Sequence, residues 1–157
     1  MSTFRITGLD PENFRNLFGK SDDELAAIGA RRCIVDATPG YPDRVEMRDL
    51  NVGERALLVN YTHLEDANSP YRSSHAVYVR EGATAPYDAI DEIPEVLRRR
   101  QLSVRAFDKQ AMMVDADVID GDDLRTWIAS TFANDAVDFI DVHNAKSGCF
   151  AARVRRA

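Results

Sequence analysis

Two strand-like runs separated by one polar loop constrain this chain more than any other feature. Ala56-Leu57-Leu58-Val59-Asn60-Tyr61 is apolar almost without interruption at its start. That pattern predicts a strand buried on both faces, inside a sheet. His75-Ala76-Val77-Tyr78-Val79-Arg80 is the second run, with His75, Val77 and Val79 sharing one face. The polar loop between them contains Ser69-Pro70-Tyr71-Arg72-Ser73-Ser74, and His63 and His75 bracket it. The third and last histidine, His143, opens a similar segment, HNAKSGCF, at residues 143–150. Polar side chains at strand ends are good site material, because a sheet fixes positions that a loop leaves soft.

The rest of the chain alternates short strands with few helices. Phe4-Arg5-Ile6 reads as a strand, and Asp10-Pro11 as a helix start with Phe14, Leu17 and Phe18 on one side. Ser21 and Glu24 form a capping box for a second helix that Gly29 ends. Cys33-Ile34-Val35 and the alternating Val45 and Met47 predict strands, with a type II turn at Pro39-Gly40 between them. Leu102–Phe107 and Ala111–Ala116 flank Asp108-Lys109-Gln110 as a hairpin. Asp122 or Asp123 should cap the longest helix, whose face is Leu124, Trp127, Ile128, Thr131 and Phe132. Strands over Val137–Val142 and Cys149–Val154 finish the chain. The expected class is α+β: an antiparallel or mixed sheet, in part barrel-like, flanked by a few short helices.

At 157 residues the chain fits a single domain spanning 1–157. Its net charge of -6 argues against a nucleic-acid partner. Arg98-Arg99-Arg100 reads as a solvated helix end. No apolar run is long enough to cross a bilayer, and MSTFRITGLD lacks a secretory pattern, so no membrane partner and cytoplasmic residence are expected. Cys33 and Cys149 are too few and too far apart for a disulfide framework or a CxxC motif. Phosphate-binding glycine motifs, HExxH and GxSxG are absent, so no cofactor is expected. The acidic run from Asp115 to Asp123 lacks EF-hand spacing. Homodimerisation is plausible on general grounds, with no segment marking an interface.

Three chemistries compete for the polar segments. His63 and His143, with Asp141 on the same strand face as His143, are candidate metal ligands for zinc or iron. Arg44, Arg72 and Lys146, helped by Ser69, Tyr71, Ser73 and Asn144, are candidates for binding a small anionic ligand. Cys149, after the HNAKSG turn, is a nucleophile candidate if an imidazole lowers its pKa. The leading expectation is a small-anion-binding or sensing domain whose polar pocket is formed by residues 61–75 and 141–149. The alternatives are a hydrolase- or transferase-like enzyme using His63, His143 and Cys149, and a structural or protein-interaction module.

Several longer segments carry a family resemblance over nearly the whole chain. They are FRITGL, PGYPDR at 39–44, NYTH ending at His63, SPYRSSHAVYVR at 69–80, RAFD at 105–108 and HNAKSGCFAARVRRA at 143–157. In these the chain resembles DUF1203, a family of uncharacterised bacterial proteins. The resemblance implies a compact single domain and draws attention to Pro39, Gly40, Arg44, His63, Pro70, Tyr71, Arg72, His143, Asn144, Gly148 and Cys149. In the family, cysteine is frequent at the position of Asp43, glycine at that of His75 and histidine at that of Asp141. Those departures weaken a shared cysteine pair and a metal site that depends on His75.

Overall fold

The structure, a computed structural model, describes residues 3–157. Its strands are β1 (Phe4–Thr7), β2 (Arg31–Ile34), β3 (Pro42–Asp43), β4 (Arg48–Asp49), β5 (Arg55–Leu64), β6 (Ser73–Arg80), β7 (Asp88–Ile90), β8 (Gln101–Phe107), β9 (Met113–Asp120), β10 (Phe139–Asn144) and β11 (Phe150–Arg156). Three short helices accompany them: α1 (Asp22–Ala27), α2 (Glu95–Arg98) and α3 (Leu124–Phe132). The α+β class holds. No helix among the described residues is long and apolar enough to cross a membrane. The chain divides into two compact units, one of residues 3–7, 62–75 and 88–157, the other of 8–61 and 76–87.

The first unit is built on an antiparallel sheet of order β7-β1-β11-β10-β8-β9. β10 lies inside it, and all of its residues are buried. Its pairing with β8 sorts side chains onto two faces. Val142 opposite Val104 and Ile140 opposite Ala106 make one face apolar as far as Asn144, which stands opposite Leu102 at the strand end. The other face pairs Phe139 with Phe107, Asp141 with Arg105 and His143 with Ser103. Because the strand period is two, this single register places Arg105, Asp141, Ser103 and His143 on one side. Leu64, Phe107, Ala111 and Phe139 form a small apolar cluster beside them.

Helix α3 buries Leu124, Ile128, Thr131 and Phe132, the face expected from their spacing, and leaves Trp127 half-buried. Asp123 occupies the N-cap position but makes no side-chain cap bond. The chain enters α3 through a 3-10 turn, Gly121–Asp123, and the Leu124 N–H is already bonded to the Gly121 carbonyl. At the other end Arg156 donates to the carbonyls of Phe132, Asn134 and Val137, a charged C-terminal cap. Gly121 is required for space: a Cβ there would lie 2.0 Å from the Leu97 carbonyl oxygen. Gly121→Ala should destabilise the protein by about 1–3 kcal/mol, measured by denaturant unfolding. An unchanged midpoint would refute that packing argument.

The second unit carries a mixed sheet of order β2-β5-β6-β3-β4, in which β3 runs parallel to β6. The Ala56–Tyr61 run is interior here, with Ala56, Leu57 and Val59 buried. The capping box on α1 forms as read, Ser21 and Glu24 bonding each other's backbone N–H. Three expectations fail locally. Val45 and Met47 are buried, but within a turn from Arg44 to Met47 instead of a strand. The buried Asp43 carboxylate accepts the Glu46 and Arg80 N–H groups, which pulls the chain round, and Met47 takes φ 55°. The helix expected after Pro11 is two 3-10 turns, Pro11–Asn13 and Arg15–Leu17, although Asp10 does accept the Glu12 N–H. Gly40 stays outside the positive-φ region, so Pro39-Gly40 makes no type II turn.

Candidate metal centre

Within the first unit three strands bring the chain's three imidazoles together. His63 stands near the end of β5, His75 near the start of β6, and His143 on β10. One ring nitrogen from each falls in a group whose members are all within 4.8 Å of one another. His63 and His143 are buried, while His75 is partly open.

His143 has a defined tautomer. Gly148, in the left-handed region at φ 79°, closes the hairpin between β10 and β11 through its N–H to the Asn144 carbonyl. Its own carbonyl oxygen lies 3.0 Å from His143 Nδ1. A carbonyl only accepts, so Nδ1 carries the proton and Nε2 keeps its lone pair. That Nε2 is buried and has no hydrogen-bond partner. Burial, with Arg105 adding to it, pushes the His143 pKa down to about 3, so the ring stays neutral.

His63 is held on both sides. Asp141 Oδ2 faces its Nδ1 at 3.5 Å, an electrostatic contact too long for a good hydrogen bond. Its Nε2 meets His75 Nδ1 and Ser73 Oγ, each at 2.9 Å. The ring lies between His75 and Phe150, stacked at 4.8 and 4.9 Å. A β-bulge explains why Phe150 is there. Pairing between β10 and β11 shifts after Val142, so His143 faces Phe150, where regular pairing would give Ala151. The extra residue swings the phenyl ring onto the histidine face. Burial first, and then the neighbouring His63 and Arg105, lower the His75 pKa.

Asp141 is fully buried on the same face and is gripped by Arg153, at 2.7 Å through Nε and 3.0 Å through one terminal nitrogen. Burial by itself would raise its carboxyl pKa, but the facing His63 and Arg153 hold it below the ordinary value. Arg153 also donates to the His63 carbonyl and lies over the Phe139 ring. One guanidinium thus ties the carboxylate to the strand that carries His63.

The other candidate residues have varied surroundings. Ser69 is buried, donating to the Ala111 carbonyl and accepting the Tyr71 N–H, so it anchors the loop. Tyr71 meets Phe107 edge-on at 5.8 Å. Arg72 and Lys146 are exposed. Cys149 Sγ has Ser147 Oγ at 2.9 Å and Asn144 Nδ2 at 3.8 Å, and Asn144 Oδ1 is buried without a partner. Arg44 belongs to the second unit and donates to the Pro42 carbonyl. Arg105 and Arg153, by contrast, had no local pattern to single them out. Only their pairing opposite Asp141, from β8 and β11, brings them to this face.

These features define an α+β protein with a three-histidine cluster, two of its rings buried, beside one face of an antiparallel sheet. A family model described as "Protein of unknown function (DUF1203)" matches residues 40–156, and the chain belongs to that family. No curated protein and no solved structure matches it.

Proposed function

We propose that this is a metal-binding protein whose activity rests on a divalent transition-metal ion held by His63, His75 and His143. The observation that carries the reading is the buried, unpartnered Nε2 of His143 beside the two other imidazoles. A lone pair left bare in the interior is costly unless something binds it. Three imidazole nitrogen donors suit zinc and its neighbours, whereas calcium and magnesium take oxygen ligands. On a tetrahedral zinc, such nitrogens would be about 3.3 Å apart, given Zn–N bonds of about 2.0–2.1 Å. The observed spacings, 2.9 Å between His63 and His75 and up to 4.8 Å overall, bracket that value. Asp141 behind His63 and the Gly148 carbonyl behind His143 have the character of outer partners that orient metal-binding imidazoles. Three protein ligands leave one position for water or a small ligand, where the metal would act as a Lewis acid.

A second reading draws on the sequence Ser73 Oγ, His63 Nε2, His63 Nδ1, Asp141 Oδ2, which has the order of a hydrolase triad. It is weaker for two reasons. Arg153 already neutralises Asp141, and His75 competes with Ser73 for the same His63 nitrogen.

Titrating the metal-free protein with zinc, and with cobalt followed by visible absorption, tests the proposal. One metal per chain is expected, with the intense d–d bands of a low-coordinate nitrogen site. The signal should vanish in the His63→Gln, His75→Gln, His143→Gln triple variant and survive Ser73→Ala. Uptake indifferent to the triple substitution would end the metal reading.

A further inference from the structure

We infer that the open position of this centre takes a small oxyanion, a carboxylate or a phosphate, and that Arg105 is its charge partner. The inference rests on the three-histidine reading and adds the ligand class to it. Arg105 reaches the face through sheet register: it stands opposite Asp141 on the neighbouring strand, one pleat repeat from Ser103, which stands opposite His143. Asp141 is therefore flanked by two arginines, Arg153 from β11 and Arg105 from β8. Only Arg153 takes the carboxylate, using Nε and one terminal nitrogen against its two oxygens.

Arg105 is left with little to do structurally. Its one side-chain hydrogen bond runs from Nε to Ser103 Oγ at 3.3 Å, and it forms no ion pair among the described residues. It is half-buried, and its charge is felt by both His75 and His143. A guanidinium whose terminal nitrogens have no acceptor is a directed donor pair for an oxyanion. The charge balance points the same way. The imidazoles are neutral ligands, and Arg153 offsets Asp141. The metal's two positive charges and that of Arg105 then have no protein anion to balance them, in a setting where screening is weak. An anion spanning metal and guanidinium supplies that balance. No covalent step is implied; the ligand exchanges with metal-bound water.

The test uses the full-length, cobalt-loaded protein, with inorganic phosphate and acetate as probes and the visible cobalt spectrum as readout. In the wild type, one or both anions should shift the spectrum saturably. Arg105→Gln should bind cobalt within about twofold of the wild type yet weaken the anion response at least about tenfold, as expected on losing a charge-assisted pair. Arg105→Lys, which keeps the charge, should fall between the two and serves if the glutamine variant folds poorly. Equal anion affinity in all three proteins, or a cobalt spectrum blind to both anions, would overturn the anion site and leave the metal centre standing. Failure of the wild type to take up cobalt would overturn both.

Discussion

Replacing His143 by alanine is expected to lower zinc affinity by more than about a hundredfold, a larger loss than the 10–100-fold typical of outer-shell changes. The side chain is fully buried and its ring is already neutral, so metal binding there displaces no proton. Alanine removes a buried donor whose lone pair has no other partner. It also leaves the Gly148 carbonyl without its imidazole contact, so unfolding should be measured alongside. Competition against a chelator of known affinity gives the number. If zinc binds the variant as tightly as the wild type, His143 is a core residue and the centre does not exist. Gly148→Ala offers a milder version, because alanine resists φ 79° and would shift the carbonyl that sets the tautomer.

Arg153→Met should be the most destabilising single change on this face, at about 3 kcal/mol, the low end of the 3–5 kcal/mol for breaking a buried ion pair. The low end applies because Arg153 remains 26 % exposed while Asp141 is sealed off at 0 %. The variant strands that carboxylate beside His63 and also removes the hydrogen bond to the His63 carbonyl. For a chain of this length the loss corresponds to a fall in Tm of roughly 6–12 °C. The double variant Asp141→Leu, Arg153→Met separates the two roles of the pair. It should regain much of the stability, since an apolar pair of similar volume often replaces a buried salt bridge without loss. Zinc affinity should nevertheless stay about 10–100-fold down, because the carboxylate that orients His63 is gone. A double variant as unstable as Arg153→Met, or one that binds zinc normally, would contradict this division of labour.

Much of the secondary structure was legible because it depends on local chemistry. The Ser21–Glu24 box, the Leu102–Phe107 strand, the Asp108–Gln110 turn and the spacing from Leu124 to Phe132 each signal within a few residues. Local pattern misleads where a distant group decides the backbone. Val45 and Met47 alternate like a strand, yet Asp43 draws them into a turn by accepting the Glu46 N–H and, from β6, the Arg80 N–H. The side-chain cap expected from Asp122 or Asp123 is missing for the same kind of reason, since Gly121 packs against the Leu97 carbonyl and the chain arrives as a 3-10 turn.

The site divides along the same line. By itself the sequence determined the supply of chemistry: three imidazoles at strand ends, Asp141 two residues before His143, and no motif of a known cofactor class. It also determined the family, through several distinctive segments in order. Only the tertiary structure decided that His75 joins His63 and His143, that Asp141 turns to Arg153, and that Arg105 is left without a carboxylate. The physical reason is sheet register. A slip of one residue between β8, β10 and β11 would send Arg105, Asp141 and Arg153 to opposite faces, and no local propensity encodes that pairing. The bulge after Val142, which brings Phe150 against His63, is likewise a property of two strands together.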